Sequence, residues 1–165
     1  MCISQVINFP DVNFKSDILD QRINGDSQTE VVANLEGLQH FVNLKRFTGY
    51  YLAITDFNFP DLVNLEELGF GVSSAYYYNN FVETPYTLNL SGNSNLKKLS
   101  TAGSLVAVNL SNCTKLTDLF LFSTLLTELN LTDCQKLLQI ISFCPLTNLV
   151  APNINKIIQV QLVNL

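Results

Sequence analysis

Residues 116–137 read LTDLFLFSTLLTELNLTDCQKL, and this stretch decides how the chain folds. The order Leu-x-x-Leu-x-Leu occurs in it twice, beginning at Leu116 and again at Leu126. In each copy the second and third leucines are two positions apart, an alternation that is typical of a strand with one buried face. Two such segments follow one another before the pattern starts again at Leu137. One repeat therefore comprises two strand-like segments.

The same pattern extends over most of the chain. The positions equivalent to Leu116 are separated by 21, 31, 20, 21 and 20 residues, so only one spacing is aberrant. A fixed period in this range is the signature of a solenoid. The equivalent residues are Leu44, Leu65, Leu96, Leu116, Leu137 and Ile157.

A short strand with one apolar face can cover that face only by stacking on the next repeat. The sequence therefore predicts a mainly β solenoid with two short parallel strands per repeat. One inward-facing ladder is predicted to comprise Phe47, Leu68, Leu99, Leu119, Ile140 and Val160. Four recurring asparagines are predicted to face outward on the second sheet, with stacked amides: Asn58, Asn89, Asn109 and Asn130.

The chain divides into two regions. Residues 1–40 are predicted to form a small helical N-terminal cap and the linker to the first turn, with Asp11 as the helix cap. Residues 41–165 are predicted to form the solenoid of about six repeats. The 31-residue spacing indicates an insertion loop at 71–86.

The repeats from Leu35 to Leu165, and most specifically residues 96–140, resemble the bacterial leucine-rich repeats of about 21 residues found in internalin-like proteins. The N-terminal segment VINFPDVNFKSDIL is similar to the cap of secreted Bacteroidetes-type proteins. The resemblance implies a leucine-rich-repeat solenoid, an extracellular or cell-surface location in a bacterium, and recognition of a protein or a glycan.

Composition excludes several classes of protein. With 47% hydrophobic and only 14% charged residues, the chain is not a disordered one. A net charge of -5 and the lack of clustered Lys and Arg argue against a nucleic-acid partner. The richest apolar run, LFLFSTLL, is too short for a transmembrane segment.

Catalytic, metal and cofactor sites are not expected. His40 is the only histidine and no nucleophile motif surrounds it, so we expect no enzyme activity. Residues 20–31 resemble a calcium loop weakly, because Arg22 and Val31 occupy positions where a cation needs oxygen ligands. A structural turn is the alternative that the residues favour.

The insertion supplies one group of candidate binding residues. Loops inserted into solenoid repeats often lie on the binding face, and aromatic side chains offer large contact areas. The alternative is that the rings fold back over neighbouring repeats. The candidates are Tyr76, Tyr77, Tyr78 and Phe81.

A second group lies on the predicted outward face of the first strand of each repeat, which is the candidate binding face if these strands line the concave side. Outward aromatic rings are unusual on a purely solvated surface and often mark an interaction site. They could instead be packed against neighbouring repeats. This group comprises Tyr50, Phe120, Phe122 and Phe143.

Two further features leave alternatives open. Cys113 and Cys134 occupy the same repeat position, so a disulfide is within reach, although buried free thiols are favoured. The apolar segment QLVNL at 161–165 has no polar cap, so either the chain continues, or another surface covers it, or two copies meet there.

A non-catalytic binding module is the favoured function, with self-assembly through this C-terminal edge as the alternative.

Overall fold

The computed structural model describes residues 35–50, 55–58, 62–71, 85–123, 125–152 and 159–162. The predicted helical cap lies outside these ranges, apart from a 3-10 helix at Leu38–His40. The other described elements are strands. They are β1 (Arg46–Tyr50), β2 (Asp56–Asn58), β3 (Glu67–Gly71), β4 (Tyr86–Asn89), β5 (Lys98–Gly103), β6 (Leu105–Asn109), β7 (Asp118–Ser123), β8 (Glu128–Asn130), β9 (Gln139–Ser142), β10 (Asn148–Val150) and β11 (Gln159–Leu162).

The strands stack as a parallel β-solenoid, as the repeat predicts. The odd-numbered strands form one six-stranded sheet in the order β1-β3-β5-β7-β9-β11. The even-numbered strands form the opposite side, as a three-stranded sheet β2-β4-β6 and a pair β8-β10. All pairings are parallel. Because odd and even strands alternate along the chain, each turn of the coil contributes one strand to each side.

The predicted inward ladder is confirmed by the register of the six-stranded sheet. Each of its residues is paired with the next one along the solenoid, from Phe47 to Val160. The side chains from Phe47 to Ile140 are at most 2% exposed. Burying a large aliphatic side chain contributes about 1.5–3 kcal/mol, so this ladder is a principal source of stability.

Recurring turns connect the even-numbered strands to the odd-numbered ones. In the turn before β7, the amide of Cys113 donates to the carbonyl of Leu110, and the amide of Leu116 donates to the carbonyl of Cys113. The turns at residues 90–96 and 131–137 repeat the same pair of hydrogen bonds. The leucines at both ends of each turn are buried. The three-residue spacing from Leu110 to Cys113 and from Cys113 to Leu116 is thus the spacing of the two hydrogen bonds in the turn. A buried leucine lies at each end of this turn.

The recurring asparagines have a turn function. Asn109 and Asn130 are exposed, as predicted. The Oδ1 atom of Asn109 accepts a hydrogen bond from the amide of Ser111, and that of Asn130 accepts one from Thr132 at 2.9 Å. Asn89 accepts from Ser91 in the same way. This is the Asx turn, in which a side chain replaces a backbone acceptor at the end of a strand.

The two ends of the predicted insertion belong to strands. Gly71 is the last residue of β3 and Tyr86 is the first residue of β4. Tyr86 is fully buried, and its hydroxyl donates to the carbonyl oxygen of Ala102 at 2.9 Å. Tyr86 therefore anchors the chain where it returns to the solenoid. No helix among the described residues is long and apolar enough to cross a membrane.

Candidate binding face

The six-stranded sheet presents one face to the core and the other away from it. Successive side chains on a strand point to opposite faces, so the neighbours of the buried ladder lie on what we call the outward face. The register arranges them in three rows across the strands. The first row is Arg46, Glu67, Lys98, Asp118 and Gln139; the second is Thr48, Gly69, Ser100, Phe120 and Ile141; the third is Gly71, Ala102, Phe122 and Phe143.

Large apolar side chains occupy the second and third rows on β7 and at β9. We call Phe120, Phe122, Ile141 and Phe143 the aromatic patch. Phe122 is 45% exposed, and its ring stacks on that of Phe143 with centroids 5.3 Å apart and planes 15° from parallel. The other three side chains are half-buried. The patch combines an ordered ring pair with accessible apolar surface, as interaction sites do.

The same two rows carry small residues on β3 and β5. We call Gly69, Gly71, Ser100 and Ala102 the small-residue patch. A Cβ atom placed on Gly69 would lie 3.3 Å from Oγ1 of Thr48, so the threonine on β1 leans over this glycine. Ser100 and Ala102 are paired with Phe120 and Phe122 on the next strand. The outward face thus changes from small to large side chains between β5 and β7.

The first row is charged on four successive strands. Arg46 and Glu67 form an ion pair at 2.8 Å, while Lys98 is exposed and forms no ion pair with another described residue. Asp118 accepts a hydrogen bond from Oγ1 of its own neighbour, Thr117, at 2.7 Å. Positive and negative groups alternate along this row, so no like charges are adjacent.

A second line of charges runs beside the first row. Glu66 lies between Lys45 and Lys97 and forms an ion pair with each. Hydrogen bonds from Lys97 and then Lys45 hold the pKa of the Glu66 carboxyl below its ordinary value. Because all three groups are solvated, this arrangement contributes little to stability.

The structure brings together three of the residues predicted as binding candidates. Phe120, Phe122 and Phe143 lie on the outward face as predicted, although two of them are only half-exposed. Tyr50 is the last residue of β1, and its backbone is paired with that of Gly71. Tyr76, Tyr77, Tyr78 and Phe81 lie outside the described residues.

The small-residue patch is a feature that the sequence interpretation missed. Gly69 and Ser100 occupy the repeat position that holds Phe120 on β7. An alignment of the repeats therefore contains the signal, as a change in side-chain size along one row. A search for conspicuous aromatic residues does not detect it.

The three described cysteines are buried and free. The expectation of free thiols at Cys113 and Cys134 is met, and Cys2 lies outside the described residues. Burial, with a smaller effect of Asp133, raises the pKa of the Cys113 thiol to about 11. Burial, then Cys113 and Asp133, raises the pKa of the Cys134 thiol to about 12. Both groups are protonated at neutral pH and are weak nucleophiles.

His40 and the acidic residues are the other described groups with a potential for catalysis or metal binding. His40 is exposed in the 3-10 helix. No group of three or more His, Cys, Asp or Glu residues among those described is arranged to hold a metal ion. Among the described residues, the outward face combines apolar, polar and charged side chains in rows that cross neighbouring strands.

Comparisons with protein-family models, with curated proteins and with solved structures found no match to this chain.

Proposed function

We propose that this chain is a non-catalytic binding module that recognises a protein, or alternatively a glycan, through the outward face of its six-stranded sheet. The observation that carries the proposal is the stacked pair of Phe122 and Phe143, with Phe122 left 45% exposed. Aromatic residues are enriched in protein interfaces and depleted from ordinary solvated surface. A glycan is the alternative ligand because an aromatic face can also stack on a sugar ring.

Rigidity supports the same proposal. Phe120 and Phe122 flank Leu121 on β7, and Leu121 is fully buried. β7 is hydrogen-bonded on both sides, to β5 and to β9. A binding surface on such a strand loses little conformational entropy when a ligand binds, which favours affinity.

The Tyr-rich insertion is part of this proposal as a second contact region. The insertion connects Gly71, at the end of the third row, to Tyr86 in the core. The insertion therefore begins at the same end of the strands as Phe122, whose row Gly71 shares. We propose that Tyr76, Tyr77, Tyr78 and Phe81 contact the same ligand.

The leucine-rich-repeat type and the bacterial cell-surface location are also proposals. Buried leucines close the recurring turns, as in the repeats that the sequence resembles. Buried thiols with raised pKa values resist oxidation, so they are compatible with an extracellular environment.

A binding screen with matched variants tests the proposed function. The full chain, labelled with a fluorophore, is applied to a printed glycan array and to a library of random linear peptides. Phe122→Ser removes the accessible ring of the patch. Val150→Ser is the control, because Val150 is 42% exposed on β10, on the opposite side of the solenoid.

A ligand that binds the wild type and Val150→Ser but not Phe122→Ser supports the proposal, and the array that yields it distinguishes a peptide from a sugar. The absence of any ligand sensitive to Phe122→Ser contradicts it. Circular dichroism of both variants verifies that neither substitution unfolds the solenoid.

Self-assembly through the edge of the sheet is a second candidate. Leu162 is 44% exposed on β11, and β9 is the only described neighbour of that strand. Exposed strand edges invite pairing with another chain. Leu162→Asp is expected to abolish any association that uses this edge and to leave association through the outward face unchanged.

A further inference from the structure

We infer that the partner of the outward face is a second copy of this chain, packed face to face about a two-fold axis that runs parallel to the strands, between β5 and β7. The inference rests on the proposed function, because it takes the outward face as a protein-recognition surface. It goes further by naming the partner and the register.

Symmetry determines which residues meet. A two-fold axis in the plane of the interface turns the outward face of one copy onto that of the other. When the axis lies between β5 and β7, it exchanges β5 with β7 and β3 with β9. Each row then faces the same row of the second copy, in the reverse order of strands.

Side-chain sizes are complementary in this arrangement. Each residue of the small-residue patch faces a residue of the aromatic patch in the second copy, and the reverse contact occurs on the other side of the axis. Large side chains facing small ones allow two sheets to interdigitate at the normal separation of about 10 Å. The facing pairs are Ser100 with Phe120, Ala102 with Phe122, Gly69 with Ile141, and Gly71 with Phe143.

Charges are complementary in the same register. Lys98 faces Asp118 of the second copy, and Asp118 faces Lys98 of the second copy. Within its own chain Lys98 is exposed and lacks an ion pair with the described residues, so its ammonium group is available for this contact. Glu67 faces the amide of Gln139. No two like charges of the first row meet across the interface.

Other two-fold axes give worse contacts. An axis between β7 and β9 places Phe120 against Ile141 and Phe122 against Phe143, so large side chains collide while the glycines face solvent. An axis perpendicular to the strands that runs along the second row places Asp118 of one copy against Phe122 of the other. That arrangement removes a carboxylate from water without a partner, which is costly.

The size of the interface sets its expected strength. The contact region spans four strands, spaced by about 4.8 Å, and three rows, spaced by about 6.6 Å. Its area is therefore smaller than that of a standard protein–protein interface. Interfaces of this size are weak and transient, so we expect a dimer that dissociates in the micromolar range.

The test measures the solution mass of the full chain by sedimentation equilibrium from about 1 to about 500 μM, which brackets the affinity of a small interface. We expect the mass to rise towards twice the monomer value with concentration. Ala102→Phe fills the site of Phe122 from the second copy and is expected to keep the mass monomeric.

A charge-exchange experiment tests the register itself. In a dimer of Lys98→Asp, position 98 of each copy places a carboxylate against Asp118 of the other copy. In a dimer of Asp118→Lys, position 118 of each copy places an ammonium group against Lys98 of the other copy. Each variant alone is therefore expected to be monomeric. An equimolar mixture of the two variants restores both opposite-charge contacts, and its mass is expected to double. Because each variant has the same fold alone and in the mixture, a mass gained only on mixing reports intermolecular contact.

Three results overturn the inference: a wild type that stays monomeric throughout, a mixture that stays monomeric, or a dimer abolished by Leu162→Asp, which would assign association to the sheet edge. A monomeric wild type that still binds a peptide or glycan dependent on Phe122 would refute the dimer and leave the proposed function intact. A monomer without such a ligand would contradict both.

Discussion

The hydroxyl of Tyr86 on β4 donates a hydrogen bond to the carbonyl oxygen of Ala102 on β5, at 2.9 Å. The ring is fully buried, and the bond reaches across the corner where the chain passes from β5 to β6. Gly103, with φ of 92°, makes that corner possible. One side chain thus connects the start of β4 to the end of the strand that carries Ala102.

Tyr86→Phe is expected to lower the free energy of unfolding by about 0.5–1.5 kcal/mol, because the carbonyl of Ala102 loses a partly buried hydrogen bond while the ring stays in place. Urea unfolding followed by circular dichroism measures the change. Tyr86→Ala, which also empties the ring's site, should cost about 3–5 kcal/mol. Equal stabilities of the wild type and Tyr86→Phe would show that the hydroxyl contributes nothing.

Leu119→Ala is expected to lower the free energy of unfolding by about 2–5 kcal/mol, since it opens a cavity in the middle of the inward ladder. Val150→Ala is the control, because a side chain 42% exposed on β10 loses far less buried surface. The same urea titration compares the two variants. A loss below that of the control would contradict the assigned burial.

Asn130→Ala is expected to destabilise the protein by about 0.5–1 kcal/mol, because the amide of Thr132 loses its Asx-turn acceptor. Asn130→Asp retains an oxygen at the same place and should stay close to the wild type. Thermal unfolding of the two variants provides the measurement. If Asp and Ala are equally destabilising, the turn does not depend on that acceptor.

The buried thiols predict a loss of stability at alkaline pH. Their pKa values in the folded protein, about 11 for Cys113 and about 12 for Cys134, lie above the ordinary value of 9.0. The folded state therefore holds these protons more tightly, and the resulting stability is complete below pH 9 and is lost as the pH rises towards 11 to 12.

Urea unfolding at pH 8 and at pH 10.5 tests this dependence. The double variant Cys113→Ala with Cys134→Ala keeps every Tyr and Lys that also titrates in this range. Its stability should fall less between the two pH values than that of the wild type, even if it is lower at both. An equal decrease in the free energy of unfolding of the two proteins between pH 8 and pH 10.5 would show that the thiols do not cause the pH dependence.

The core of the solenoid was predictable because it depends on local rules. Alternating apolar residues identify the buried face of each strand, and the repeat spacing pairs Leu99 with Leu119 without knowledge of the coordinates. The orientation of Phe120 and Phe122 followed from the same alternation. The exposure of their rings could not be predicted from the alternation, since it depends on which side chains flank the rings on neighbouring strands.

The outward face was predictable only in part. Its aromatic members are conspicuous in the sequence. Ser100 and Gly69 are not, because their role becomes visible only when the register shows which larger side chains, Phe120 and Thr48, lie beside them. The predicted cap at 1–40 and the roles of Tyr76, Tyr77 and Tyr78 stay predictions, because these residues lie outside the described ranges apart from 35–40.

The sequence by itself determined the period, the parallel stacking and the inward ladder, because burying one face of a short strand admits a single alternation of side chains. Only the tertiary structure decided which outward residues become neighbours. Phe122 and Phe143 are separated by 21 positions in the chain, and their rings stack because two turns of the solenoid come into contact. Contacts between turns depend together on the register of the strands, the sizes of the side chains and the orientations of the rings. All three involve residues from two turns, so no single stretch of the sequence determines them.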